Sequence, residues 1–147
     1  MMVIRRFSPS DIRAVMDIVK SSLGETYPPS LYLTLHNIWE DGFMVLEEDG
    51  RIVAFVAAVE SEKQVARILM LAVLREHRGR SLGTMLMKAL HAKCIANDIH
   101  TIKLEVRKSN KTAMSFYERQ GFAVTGEIEN FYVNGEGAYV MTKIIDN

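Results

Sequence analysis

The sequence predicts an α+β fold: a twisted, mostly antiparallel sheet with helices on both faces. Strand-type apolar runs and helix-type amphipathic stretches are mixed along the chain. Asp49-Gly50 and Asn134-Gly135, dipeptides that favour tight hairpins, separate strand candidates toward either end. Between them the chain reads strand, basic turn, helix, strand. With 147 residues, 48% apolar and 24% charged, it is long enough for a proper core and reads as one domain over residues 1–147.

Ser8-Pro-Ser-Asp11 opens the first helix, with serine at the N-cap, proline in the first turn and an acid three residues on. Ile12, Val15, Met16 and Val19 mark its apolar face, and it ends near Ser22. A second helix begins at Ser30 and carries Leu31, Leu35, Ile38 and Trp39. Strands are predicted over 43–48 and 52–60, joined through Asp49-Gly50, and over 65–73. Next comes a helix from about Leu82 to Ala96, with Asn97 where a left-handed helix end would fall. A strand over 101–107 leads to a helix from about Lys111 that stops before Gly121, a residue suited to a left-handed cap. Strands over 122–131 and 138–145 close the chain, with Asn134-Gly135 between them.

Bulk properties exclude several functions. Lys plus Arg equals Asp plus Glu at 18 each, so charge gives no support to a nucleic-acid or membrane-surface partner. Cys94, alone and inside an apolar helical stretch, fits a reducing compartment and reads as a small core residue. With no long apolar run and no signal peptide, a cytoplasmic protein is expected. His36, His77, His91 and His100 show no ligand spacing, so no metal is expected.

The segment richest in chemistry is Leu71 to Leu86. A strand-type run ends at Val73, a basic turn runs from Arg75 to Arg80, and Leu82, Met85, Leu86, Ala89 and Leu90 then recur at helical spacing. Strand, basic turn and helix N-terminus together gather free backbone N–H groups, and the helix dipole and arginines favour an anion there. A phosphorylated ligand is the expectation; the alternative is an ordinary loop with solvated arginines. Arg78-Gly-Arg-Ser-Leu-Gly83 matches neither the nucleotide-binding P-loop nor the dinucleotide glycine pattern.

The turn resembles the acetyl-CoA pyrophosphate loop of the GCN5-related N-acetyltransferase (GNAT) superfamily, written [RQ]-x-x-G-x-[GA]. Arg78 takes its first position and Gly83 its last, while Ser81 replaces the middle glycine. Serine keeps the backbone N–H, but a left-handed conformation there would cost it roughly 1 kcal/mol. Leu104 to Phe122 resembles the L-E-V-R-x-S-N-x-x-A-x-x-x-Y-x-x-x-G-F signature of the protein N-terminal acetyltransferases of the ribosomal-protein-alanine and Ard1-like type. Asn130 to Met141 resembles their N-Y-Y-x-x-G-x-D-A-x-x-M ending. Leu23 to Pro28 is similar to their L-P-E-x-Y-P loop, with Gly24 for proline.

This resemblance implies an acetyl-CoA-dependent Nα-acetyltransferase and assigns its residues. Glu105 would be the general base. Strand alternation puts it on one face with Lys103 and Arg107, which taken alone reads as a solvated charged face. Tyr117 would be the general acid for the coenzyme A thiolate, where the residues alone allow a half-buried core tyrosine. Leu71, Ala72 and Val73 would hold the donor's pantetheine arm through their backbone. Arg78, Gly79, Arg80, Ser81, Leu82, Gly83 and Thr84 would bind its pyrophosphate, and Asn110, positioned to cap the helix from Lys111, its arm. Glu25, Tyr27 and Tyr132 would contact the acceptor peptide, with an exposed loop acid as the alternative for Glu25. Arg67 stands where Ard1-type enzymes often carry histidine, which removes support for a second base or a metal there. Protein N-termini are the implied substrate, with a ribosome or auxiliary subunit as further partners. Two other readings stay open: acetylation of lysine side chains or small amines, and a catalytically silent acyl-CoA sensor or assembly subunit.

Overall fold

The computed structural model describes residues 1–145. Among these, β1 (Met2–Arg6) precedes α1 (Ile12–Leu23) and α2 (Pro29–Ile38). Three strands come after them, β2 (Phe43–Glu48), β3 (Arg51–Glu62) and β4 (Val65–Val73). The chain continues through α3 (Leu82–Ala96), β5 (Thr101–Arg107), α4 (Lys111–Arg119), β6 (Ala123–Ile128) and β7 (Ala138–Ile144). The strands form one seven-stranded sheet in the order β1-β2-β3-β4-β5-β7-β6. Every neighbouring pair is antiparallel except β4 and β5, which the α3 crossover makes parallel.

Each face of the sheet carries its own core. Leu82, Leu86 and Leu90 of α3, spaced four apart, bury one stripe against Val56, Ala58, Ile102 and Leu104. Val15, Ile18 and Val19 of α1 and Tyr32 and Leu35 of α2 cover Phe43, Val45, Phe55 and Ala57 on the other face. Full burial of one such leucine or isoleucine stabilises by about 1.5–3 kcal/mol. Cys94 is buried in the first core, as expected of a small apolar residue, and burial pushes its thiol up to about 12.

Two irregularities in β4 open one side of the sheet. Pairing with β5 covers only Val65–Thr101, Ala66–Ile102 and Arg67–Lys103. Beyond Arg67 the two strands separate, while β5 stays paired with β7 along its whole length. The second irregularity is a bulge at Leu69: Ala57 of β3 faces Met70 and Ala58 faces Ile68, leaving Leu69 without a partner. The extra residue turns the strand over. Ala66 and Ile68 lie in the α3 core, whereas Met70 and Ala72 lie in the α1–α2 core, and Leu71 and Val73 take the α3 side instead.

Several local expectations hold and some need correction. Asp49 and Gly50 both take positive φ, 51° and 83°, as a two-residue hairpin of the mirror-image type requires. Gly24 (φ 66°) and Gly121 (φ 97°) end α1 and α4 in left-handed conformations. Asn97 is not left-handed (φ −106°); that role falls to Asp98 at φ 57°. The Ile99 and Asp98 N–H groups return to the carbonyls of Cys94 (2.8 Å) and Ile95 (3.3 Å), a Schellman ending that drives Ile99 into the core. The strand expected over 122–131 is shorter, because Asn130 turns left-handed (φ 52°). Asn134-Gly135 therefore sits inside the longer connection 129–137 and forms no two-residue hairpin. β1 has no counterpart among the elements predicted from sequence.

Candidate active site

The separation of β4 from β5 opens a cleft of about 750 Å³. Its walls are the end of β4, the turn into α3, the C-terminal end of α1 and one face of α4 along its length. It gathers Leu71, Ala72, Val73, Arg78, Gly79, Ser81, Leu82, Gly83, Thr84, Asn110 and Tyr117. Arg80 is turned elsewhere: its guanidinium is bound to the Glu48 carboxylate at the β2–β3 hairpin, with His77 Nδ1 3.1 Å away. Arg78 lines the cleft and donates from Nε to the Val73 carbonyl at 3.1 Å. That carbonyl also accepts from Ser22 Oγ at 3.2 Å, which ties the end of α1 to the end of β4.

The turn is shaped to hold an anion. Gly79 (φ 77°) and Ser81 (φ 63°) are both left-handed, so successive backbone N–H groups curve around one point. Helix geometry leaves the N–H groups of Leu82, Gly83 and Thr84 without intrahelical acceptors, and the dipole of the 15-residue α3 adds positive potential. Ser81 thus occupies the strained conformation that its substitution for glycine put in question. Its side chain makes no capping bond to α3. A Cβ at Gly83 would stand 3.2 Å from the Phe116 ring, so α3 and α4 approach closely here.

Tyr117 lies on the α4 wall. Asn110 Oδ1 caps this helix by accepting from the Ala113 N–H at 3.1 Å, the structural role its position suggested. The Tyr117 ring packs edge-on against Phe116 (5.1 Å between centroids) and Phe122 (5.5 Å). Burial raises the phenol well above its ordinary value, which keeps it protonated and able to donate. Gln120 Nε2 donates to Thr84 Oγ1 at 3.0 Å and locks α4 to the start of α3.

Glu105 stands on the far side of the opening. Its Oε1 accepts from Arg67 Nε at 2.8 Å and lies 2.6 Å from Arg67 Nη2. Arg67 belongs to the last residue pair that joins β4 to β5, and Glu105 lies two residues beyond its partner Lys103. The ion pair therefore spans the sheet where the opening begins.

The remaining candidates, like Glu105, do not line the cleft, and Tyr132 links them to that carboxylate. Tyr27 donates its hydroxyl to Glu25 Oε2, and this bond, with burial, raises the phenol to about 12. Tyr132 projects from the 129–137 connection; burial raises its phenol, Arg107 opposes this, and the carboxylates of Glu105, Glu136 and Glu25 add to it. All three acids thus lie within electrostatic reach of one hydroxyl. Arg107 holds this loop in place by donating from Nη1 to Glu136 Oε1 (3.1 Å) and Asn134 Oδ1 (3.2 Å). Glu136 Oε2 also accepts from the Ser109 N–H at 3.0 Å. Three acidic side chains against two arginines leave one negative charge in excess beside the phenol, which suits a cationic or amine-bearing acceptor.

Comparison with known proteins gives the site its family. The acetyltransferase (GNAT) family model matches residues 12–122. The chain belongs to the GNAT family of acetyltransferases. An uncharacterized N-acetyltransferase of Methanocaldococcus jannaschii is 38% identical over 97% of this chain and 91% of its own length. The catalytic subunit NAA10 of the Arabidopsis thaliana N-terminal acetyltransferase A complex is 35% identical over 97% of this chain and 78% of its own. Among solved structures, Ard1 from Thermoplasma volcanium superposes with a TM-score of 0.95 at 36% identity, covering 99% of both chains.

As a GNAT enzyme, the protein is an acetyl-CoA-dependent N-acetyltransferase with the α+β fold of that family. The left-handed turn, the α3 N-terminus and the open cleft fit a phosphorylated donor with an extended arm. No group of three or more His, Cys, Asp or Glu side chains that could hold a metal occurs among the described residues. No helix there is long and apolar enough to cross a membrane. Sequence reasoning missed Ser22, Thr112, Phe116 and Arg119 on the cleft wall and Glu136 behind Arg107. Thr112, Phe116 and Arg119 recur at spacings of four and three along α4, so helical spacing from any one of them could have nominated the others.

Proposed function

We propose that this GNAT enzyme acetylates the α-amine of protein N-termini, with Glu105 as general base and Tyr117 as general acid, and that residues 1–147 form one N-acetyltransferase domain. The observation that carries the reading is the opening between β4 and β5, flanked by a carboxylate on one side and a protonated phenol on the other. A free α-amine has a pKa near ~8 and is mostly protonated at neutral pH, so a base must take one proton before attack. Glu105 takes it, directly or through one water, a contribution of about 10²–10⁴-fold. Tyr117 hands its proton to the departing thiolate.

Acetyl-CoA, when bound, supplies the thioester that the amine attacks. Its pyrophosphate is held by the N–H groups from Gly79 to Thr84 with Arg78 beside them. Its arm lies along Leu71, Ala72 and Val73, whose backbone groups the strand separation leaves free of β5, with Asn110 across the cleft. A backbone N–H there polarises the thioester carbonyl as an oxyanion hole does. Arg80 contributes by fixing the turn to Glu48. Glu25, Tyr27 and Tyr132 receive the acceptor peptide: Glu25 attracts the ammonium and the two phenols border the entering backbone. The partners this implies are nascent or finished protein N-termini in the cytoplasm, with a ribosome or an auxiliary subunit as further partners. The NAA10 relative, named as a subunit of a complex, supports that last point.

The test is acetylation of short peptides of varied first residue, each with a free or blocked α-amine and one internal lysine, read by mass spectrometry. The expected product carries acetyl on the free N-terminus alone. Label confined to lysine would replace this reading with a lysine acetyltransferase. Acetyl-CoA binding with no label on any amine would mean a silent sensor.

A further inference from the structure

Arg67 is a half-exposed arginine whose two donors converge on a single carboxylate oxygen. Nε at 2.8 Å and Nη2 at 2.6 Å both meet Glu105 Oε1, which leaves Oε2 clear of the guanidinium. The pair joins β4 to β5 at the last hydrogen-bonded register before the strands part. The Leu69 bulge lies two residues further on, and Arg67 is the one charged side chain that β4 carries. The Glu105 side chain is 15% exposed, and among the described residues Arg67 is the cation bound to it. A guanidinium gripping one oxygen holds a side chain this enclosed in one rotamer.

We propose that Arg67 is the positioning residue of the acetyl transfer. It anchors Glu105 by one oxygen at the mouth of the opening and so directs the other toward the acceptor amine or its bridging water. An arginine cannot itself accept the proton, so it supplies geometry and charge and leaves Glu105 as the base. In this division the acceptor's proton passes to Glu105 Oε2 while the Arg67–Oε1 contacts persist through the reaction. The inference rests on the reading of Glu105 as base.

The experiment is a double-mutant cycle of wild type, Arg67→Met, Glu105→Gln and the double variant, with Arg67→Lys as a conservative fifth protein. Peptide kinetics, acetyl-CoA affinity by calorimetry and thermal unfolding are measured for each. Arg67→Met is expected to lower kcat by about 10- to 100-fold, within the range of a displaced base. KM for the peptide should change by less than about threefold, and acetyl-CoA affinity should not change. Arg67→Lys should recover part of kcat, because a single ammonium keeps the charge but loses the two-point grip. In the Glu105→Gln background the Arg67→Met effect should vanish. Equal losses in both backgrounds, or a loss confined to KM or to thermal stability, would overturn the positioning role while leaving Glu105 as base. Wild-type turnover by Glu105→Gln would overturn the base assignment and this inference together.

Discussion

The guanidinium of Arg107 lies 3.9 Å from the centre of the Tyr132 ring, stacked over it while its Nη1 holds Glu136 and Asn134 of the same loop. One β5 side chain thus fixes the loop proposed to border the acceptor. Replacing Arg107 with methionine keeps some of the packing but removes the cation over the ring and both loop contacts. Expected is a rise of about tenfold in peptide KM, with acetyl-CoA affinity unchanged in a calorimetric titration. Equal weakening of both ligands would refute a loop-specific role.

Ser81 sits at φ 63° without a capping bond to offset the cost. Ser81→Gly should therefore raise stability by up to about 1 kcal/mol, less what glycine adds to unfolded-chain entropy. A domain of this size would show that as a few degrees in Tm. The backbone N–H is untouched, so acetyl-CoA affinity should stay within about threefold. A large loss of affinity in Ser81→Gly would mean the hydroxyl, rather than the amide, contacts the donor.

Tyr117→Phe keeps the ring contacts with Phe116 and Phe122 and deletes only the hydroxyl, the proposed proton donor. Folding should be close to wild type by thermal unfolding, while kcat falls by about 10- to 100-fold at neutral pH. Because burial raises the phenol, wild-type activity should show no alkaline decline attributable to Tyr117 at or below about pH 10. A decline near about pH 9 that disappears in Tyr117→Phe would contradict this.

Asp11 is buried at 6% exposure beneath Arg5, whose Nη1 and Nη2 reach its two oxygens at 2.8 and 2.9 Å. Burial alone would raise this carboxyl, but Arg5 and the Ser8 N–H (2.7 Å) outweigh it and hold it below the usual range. A folded-state pKa below the unfolded value near ~3.9 means the contribution is fully present above about pH 4. It is lost as pH falls through the folded-state pKa. Asp11→Asn should cost about 2 kcal/mol in urea unfolding at about pH 7 and much less at about pH 2. An equal cost at both pH values would show that packing, not charge, is what Asp11 supplies.

The fold was legible in the sequence wherever the signal was local. Leu82, Leu86 and Leu90 declare a helix face by spacing alone, and Asp49-Gly50 declares its turn by the φ it tolerates. β1 was not legible. Met2–Arg6 carries little buried surface and exists because β2 pairs with it from Met2–Glu48 to Arg6–Met44, partners far away along the chain. The Leu69 bulge was equally hidden, since residues 68–73 are all apolar and either face would accept any of them. The cleft residues were found through motif resemblance, which records geometry that periodicity cannot. The Arg67–Glu105 pair needed the sheet order itself, because 38 residues separate the two along the chain.

The bulge also sets what kinds of change this protein can absorb. β4 carries one residue more than β3 needs over this stretch: Ile68 faces Ala58 and Met70 faces Ala57, neighbours in β3, and Leu69 is the surplus. Losing Leu69 would leave a plainly alternating strand in which Arg67, Leu71 and Val73 keep their present faces. An insertion after Met70, with the register before it unchanged, would instead send Leu71 and Val73 to the opposite face and empty the cleft wall. The strand thus holds one residue in reserve: it can be shortened at the bulge, and lengthening it beyond is what the cleft would not survive.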